Sequence, residues 1–349
     1  MSTRNFTAVE GLRFFLFLGI FVFHCVSCWF PIGWGGVEAF LVIGSFFLTN
    51  KYLGREQSEI KIGDAFWHRI KRLYPAYLTL VLLFSVGLIY HTRSLSAEPL
   101  WYIFSVQNFR CLFESATYSL DSCMGHFWYI CLDVWLFLTW VIVIRLVPKK
   151  HLRVAFVISI GVGLLWRSFC ICFLPNNASI SYMIPVGQLD SWALGGLVAL
   201  NVREKGNKSR TALIEMVMGV VGILALTGYN AYLKNEDFYN AYQLWHSASG
   251  YILNPITGNI HFLIALLSAG LLRYCVDTTI KHPVLSATPL VALGGMSYEL
   301  YCFHFPIQYV AKHFIQNKII MIIVALVVTY MVSVLWIKFA MPVVKKVIK

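Results

Sequence analysis

"EGLRFFLFLGIFVFHCV", residues 10–26, is an apolar run with one arginine near its start and one histidine near its end. With its flanks it reaches the roughly 20 residues that cross a bilayer as a helix. Similar runs recur along the chain and predict ten spans, at about 13–31, 34–52, 75–91, 126–147, 153–174, 184–201, 211–229, 257–274, 288–311 and 319–341. Composition agrees. Of 349 residues, 58% are hydrophobic, 16% aromatic and only 13% charged. A soluble domain carries about 25% charged residues, so this chain lacks the polar side chains to coat a water-facing surface. The expected fold is an all-α polytopic membrane bundle, and the runs use up residues 1–349, which predicts a single membrane domain with no appended soluble domain. The first run exceeds a signal-peptide core and lacks an obvious cleavage site, so it reads as a span.

The net charge of +12 does not point to nucleic acid. With the N-terminus placed in the cytoplasm, ten spans leave only Arg93, Arg110, Lys234, Lys312 and Lys318 in outer loops and Arg167 inside a span. The other cations lie on the inner side, which is the positive-inside pattern. The chain is therefore expected to be multi-pass in the cell membrane with both termini cytoplasmic. Most of the nine cysteines fall within spans, where Cys is a small apolar filler. Cys25 and Cys28 have no second ligand pair to make a metal site with. Cys111 and Cys123 share one outer loop, and an exoplasmic disulfide there is an expectation.

Arg13 and His24 are 11 residues apart, about three helical turns, so they share a helix face roughly 16 Å apart along the axis. Charged groups in lipid are costly and are functional candidates by default. On its own the layout also fits an arginine that snorkels to head groups and a hydrogen-bonded core histidine. The next span, "GWGGVEAFLVIGSFFLT" (33–49), carries Glu38, a carboxylate suited to stabilising an imidazolium. Its glycines Gly33, Gly35 and Gly36 permit close backbone approach at the turn between spans 1 and 2.

"IGDAFWHRIKRLYPAY" (62–77) places Ile62, Phe66, Ile70 and Leu73 on one face and Arg69 beside Arg72. It predicts an interfacial amphipathic helix on the cytoplasmic side, ended by Pro75. The arginine pair suits phosphate oxygens, or simply lipid head groups. "GHFWYICLDVWLFLTW" (125–140) contains His126, Trp128 and Asp133, and "GGMSYELYCFHFPIQYV" (294–310) puts Ser297, Tyr301 and His304 on one helix face. The segment from Tyr229 to Pro255 is rich in Tyr and Trp, as either interfacial anchors or a sugar-stacking surface.

In order along nearly the whole chain, these segments resemble the acyltransferase-3 family of membrane acyltransferases. "GLRFFLFLGIFVFH" matches the family's R-x10-H, "GWGGVEAFLVIGSFFL" its G-V-D-x-F-F-V-L-S-G-F-L run, and "FWHRIKRLYPAY" its R-x-x-R-I-x-P. "HFWYICLDVWLFL" matches W-x-L-S-V-E-x-Q-F-Y-L, and "MSYELYCFHFP" matches S-Y-x-x-Y-x-x-H-x-P. The resemblance implies a ten-helix enzyme moving an acyl group, most often acetyl, from cytoplasmic acyl-CoA to a hydroxyl of a lipid-linked or surface glycan. Acyl-CoA is then a donor substrate, with no permanently bound cofactor and no metal. His24 takes the place of the central catalytic residue, with Arg13 its companion and Glu38 the family's acidic residue. Arg69 and Arg72 correspond to the arginines that hold the donor's phosphates. Trp128, Asp133, Ser297, Tyr301 and His304 line up with the last two motifs. Gly44 and Ser45 reverse the family's usual Ser-Gly order, Cys131 replaces its Ser, and Asp133 its Glu. Asp is one methylene shorter, so its partner must sit closer. The rival reading is a glycolipid or polysaccharide carrier. It would show paired broken helices or an inverted repeat.

Overall fold

The computed structural model describes residues 6–93, 97–113, 124–174, 179–204, 209–247 and 254–347. Every regular element among them is helical. In chain order the α-helices are α1 (Thr7–Cys25), α2 (Gly36–Leu53), α3 (Ile62–Thr92), α4 (Glu98–Ile103), α5 (Trp128–Leu146), α6 (Leu152–Phe173), α7 (Ser179–Met183) and α8 (Leu189–Glu204). They continue with α9 (Ser209–Lys234), α10 (Phe238–Gln243), α11 (Ile260–Cys275), α12 (Thr288–Gly295), α13 (Ser297–Phe314), α14 (Lys318–Leu335) and α15 (Met341–Val347).

Seven stretches among the described residues are long and apolar enough to cross a bilayer: Thr7–Cys25, Ile62–Tyr90, Gly125–Leu146, Lys149–Phe173, Ser209–Lys234, Thr257–Cys275 and Lys318–Val344. Ten were expected. The other three positions hold helices that are shorter or more polar. α8 has 16 residues, α2 carries Glu38 and Lys51, and α13 carries Glu299 and Lys312. Those three are packed inside the bundle, α2 against α8 and α13 against α1 and α14. The lipid-facing surface comes instead from helices such as α6, α9 and α14, which leave Val157, Leu165, Val221 and Ile320 exposed.

A separate amphipathic helix ending at Pro75 is not what forms. α3 runs unbroken from Ile62 to Thr92 through the proline. Proline removes one backbone N–H, yet the helix continues. Nearby, Tyr298 Oη donates to Leu73 O at 2.5 Å and Thr79 Oγ1 to Pro75 O at 2.9 Å. The Arg69–Arg72 segment is thus a rigid extension of a membrane helix.

Small residues set the tightest approaches. A Cβ on Gly195 of α8 would meet Val42 O of α2 at 2.1 Å, so these backbones touch only because glycine is there. At the turn after α1, a Cβ on Gly33 would lie 2.5 Å from Gly19 O. That close approach, expected from the sequence, folds α2 back against α1. The aromatic segment after Tyr229 turns partly inward. Trp245 is fully buried, donates through Nε1 to Thr227 Oγ1 at 2.9 Å, and accepts at its carbonyl from Trp34 Nε1 at 2.8 Å. Trp245 is core rather than sugar-stacking surface. Cys123 of the expected Cys111–Cys123 disulfide lies outside the described residues.

Candidate active site

A cavity of about 1100 Å³ opens beside the N-terminal half of α1. Six of the residues singled out from the sequence line it: Arg13, Arg69, Arg72, Asp133, Ser297 and Tyr301. Sequence reasoning missed other lining groups, among them Lys51, His68, Arg203 and Tyr298. Five cationic side chains (Arg13, Lys51, Arg69, Arg72, Arg203) face two carboxylates (Glu10, Asp133), so the cavity is net positive. Phe40, Ile43, Phe47 and Phe137 give it an apolar wall. Gly44 also lines it, with nothing within 4 Å of where a Cβ would stand, whereas Ser45 turns away and donates to Trp192 O.

The cations are not equivalent. Arg69 is held by Asp133, with Nε to Oδ2 at 2.9 Å and Nη2 to Oδ1, and its guanidinium lies over the Phe137 ring. Arg13 pairs with Glu10 at 2.7 Å. Arg72 is exposed and has no carboxylate partner among the described residues. Like Lys51, which is also exposed and has no carboxylate partner among the described residues, it is available to an incoming anion.

His24 does not line this cavity. It lies in the last turn of α1 and opens into a separate depression of about 350 Å³, with Cys28, Lys312, Gln316 and Lys318. The distance along α1 from Arg13 is that of the sequence spacing, about 16 Å. The resemblance implies that a donor held by the arginines is used at His24, yet the two groups mark two openings at opposite ends of the helix.

Between the openings stand two further imidazoles. Ring centroids lie 5.3 Å apart for His24 and His304 and 5.2 Å apart for His304 and His126. Phe305 packs between His24 (4.8 Å) and His126 (5.1 Å). Tyr301, which lines the large cavity, is 5.3 Å from His126 and 5.4 Å from His304. Its hydroxyl donates to His126 O. A carbonyl can only accept, so His304 Nδ1, 2.6 Å from Tyr301 O, carries the proton. His126 Nε2 does the same toward Cys302 O at 3.2 Å. Each ring therefore turns a bare lone pair, His304 Nε2 and His126 Nδ1, into the buried cluster. Neither has a hydrogen-bond partner among the described residues. Ser297, Tyr301 and His304 do share one face of α13, as their spacing predicts; His126, which joins them from the start of α5, was noted in the sequence only as an ionisable residue.

Glu38 belongs elsewhere. It is fully buried and its Oε1 accepts from His261 Nδ1 at 2.6 Å, not from His24. Trp34 and Tyr182 flank the His261 ring at 4.9 and 5.6 Å. Trp128 meets Tyr182 edge-on at 5.6 Å, outside the large cavity. The polar groups run on through Gln188, Ser191 and Asp190 to Arg167, whose Nη2 lies 2.5 Å from Asp190 Oδ2 and whose Nε donates to Asn259 Oδ1 at 3.2 Å. This chain of contacts ties α2, α6, α8 and the start of α11 together. Gln188, Asp190 and Ser191 are close in sequence, but Glu38, Arg167, Asn259 and His261 lie in distant segments that no local pattern links to them.

The acyltransferase-3 family model, described as an acyltransferase domain, matches residues 6–338. The O-acetyltransferase OatA of Staphylococcus aureus (strain NCTC 8325 / PS 47) is 25% identical over 341 residues, which cover 91% of this chain and 53% of that protein. The peptidoglycan O-acetyltransferase OatA of Listeria monocytogenes is 24% identical over 332 residues, covering 88% and 50%. The chain spans about half the length of these curated relatives. No solved structure matches it. With a match over nearly its whole length, the chain belongs to the acyltransferase-3 family.

Proposed function

We propose that the chain moves an acyl group, acetyl as in its relatives' names, from acyl-CoA to a hydroxyl of a cell-surface or lipid-linked glycan. The observation that carries this reading is the pair of openings at the two ends of α1, one large and cationic, one small and lined by His24, with the His304 and His126 imidazoles between them. The positive-inside asymmetry supports a cytoplasmic position for the cationic cavity, with both termini on the same side. Acyl-CoA carries phosphates at one end of a long, largely uncharged arm. Arg72 and Arg13 bind the phosphates, and the arm runs along the apolar wall to Tyr301; because His24 opens into the separate depression, the thioester reaches it as the intervening side chains of His126, His304 and Phe305 move aside.

The reaction needs a base, because a sugar hydroxyl is a poor nucleophile at neutral pH. His24 takes the hydroxyl proton. The hydroxyl oxygen bonds to the acyl carbon, the carbon–sulfur bond breaks, and CoA leaves as a thiolate that is then protonated. His24, with the neighbouring His304 Nε2 lone pair as relay, passes the hydroxyl proton on to that thiolate. A transient acyl-imidazole on His24 is the stepwise form of the same transfer. Glu38, bonded to His261, does not act on His24 directly in this scheme. It holds the helices that frame the cluster.

The test is labelled acetyl-CoA incubated with the purified chain in nanodiscs, with and without glycan fragments. The name of the Listeria relative makes peptidoglycan fragments the first to try. Acceptor-dependent CoA release with label in the glycan is the expected result. Neither binding nor cleavage of acetyl-CoA would overturn the reading in favour of a carrier.

A further inference from the structure

The small depression at the C-terminal end of α1 has a chemistry of its own. Beside His24 it is lined by two lysines, Lys312 at the end of α13 and Lys318 at the start of α14, and by no acidic residue among the described residues. Neither lysine forms an ion pair among the described residues. Lys312 Nζ donates to His24 O at 2.6 Å. That contact fixes one ammonium next to the imidazole and leaves it two further N–H groups. Under the topology above, the outer loops hold five cations, and two of them are these lysines. Topology does not require positive charge on that side, so their placement around one depression calls for an anion.

We propose that this depression is an acceptor subsite that binds an oxyanion of the acceptor, a phosphate or a carboxylate, between Lys312 and Lys318, and so presents a nearby hydroxyl to His24. The inference deepens the acyl-transfer reading and rests on it for the identity of the hydroxyl. The anion takes no part in bond making. Its contacts with the two ammonium groups set which hydroxyl reaches the imidazole. The acceptor class is thus an acidic glycan, or a neutral glycan linked through phosphate to a lipid.

The test uses the full chain in nanodiscs of phosphatidylcholine and three acceptors. They are a uronic-acid-terminated tetrasaccharide, its uncharged methyl ester, and a polyprenyl-diphosphate-linked neutral tetrasaccharide. The expected result is a preference for one of the charged acceptors over the ester, and which one is preferred identifies the source of the anion. In Lys318→Ala and Lys312→Ala the ratio of kcat/KM for charged over uncharged acceptor falls about tenfold, mainly through KM. Lys312→Arg restores it by keeping the charge. Lys318→Ala leaves the contact to His24 intact, so a change there is not a loss of local folding. An unchanged ratio in both alanine variants, or an equal loss on charged and uncharged acceptors, overturns the proposal. So does a charge effect that appears only when phosphatidylglycerol is added, because the lysines then hold lipid head groups. Direct binding of the charged acceptors without donor separates this proposal from the reading beneath it. Binding weakened in Lys318→Ala, with no transfer by any form of the chain, keeps the subsite and sinks acyl transfer. Transfer with no charge-dependent binding does the reverse.

Discussion

Arg69 and Asp133 form a two-pronged pair on the wall of the large cavity, Nε to Oδ2 at 2.9 Å with Nη2 on Oδ1. The pair joins the start of α3 to the second turn of α5. It also accounts for the aspartate where the family usually has glutamate, since the partner lies close enough for the shorter side chain. Arg69 therefore shapes the cavity as much as it charges it. The arginine pair read from the sequence splits into one residue that is structurally engaged and one, Arg72, that is available.

Removing either partner of the Arg69–Asp133 pair leaves a largely buried charge behind. Arg69→Ala and Asp133→Asn are expected to lose about 3 kcal/mol of stability, the usual penalty for breaking a buried pair. Thermal unfolding of the purified variants measures it. Donor binding by Arg69→Ala falls as well, so this variant alone does not isolate the phosphate contact. Unfolding temperatures equal to that of the unaltered chain would show that the pair is not structural.

Arg72→Ala isolates it. The side chain is exposed and spends nothing on a carboxylate, so the variant keeps its unfolding temperature. Its affinity for acetyl-CoA falls about tenfold, the worth of one charge-assisted contact. Titration calorimetry with acetyl-CoA, and then with dephosphorylated pantetheine thioester, reads the difference. Arg72→Ala weakens only the phosphate-bearing ligand.

His24→Ala is expected to lower transfer by at least about a hundredfold, the lower end for loss of a general base. Acetyl-CoA binding is retained, because the imidazole lies about 16 Å along α1 from the arginine end. Single-turnover CoA release and equilibrium binding, measured on the same preparation, separate the two. Transfer at the unaltered rate would remove His24 from the mechanism.

Cys28 supplies a check on orientation. It is exposed and shares the depression with His24. In intact cells expressing a form with both Cys123→Ser and Cys172→Ser, a membrane-impermeant maleimide added outside is expected to label Cys28. Labelling only after the membrane is opened would place the depression on the cytoplasmic side and reverse the assignment of donor and acceptor ends.

Much of this was legible in the sequence because it is local. Arg13 and His24 share α1, Arg69 and Arg72 share α3, and Ser297, Tyr301 and His304 share α13; helical spacing alone aligns each set. What was not legible depends on contacts between distant segments. Glu38 was assigned to His24, its neighbour in the chain, but its partner is His261, 223 positions away. Pro75 read as a stop, but the helix continues through it from Ile62 to Thr92. α2, α8 and α13 read as full spans on hydropathy, although they are the short or polar helices that the others surround. A periodicity argument sees which face is apolar. It does not see whether that face meets lipid or another helix.

The same limit hid the Arg167–Asp190 pair, which the structure makes the sharpest stability test. Both side chains are fully buried, at 0% exposure, and Nη2 to Oδ2 is 2.5 Å. Arg167 also donates to Gly187 O and to Asn259 Oδ1, so the guanidinium is satisfied from three segments at once. Arg167→Met leaves a buried carboxylate without its countercharge and is expected to cost about 3–5 kcal/mol. Replacing both, Arg167→Met with Asp190→Leu, removes the unpaired charge and recovers most of that loss, because two apolar side chains carry no desolvation penalty there. A large drop in unfolding temperature for the single variant and a small one for the double is the expected pattern. Equal drops would mean that the bonds to Gly187 and Asn259, not the ion pair, hold α6 to α8.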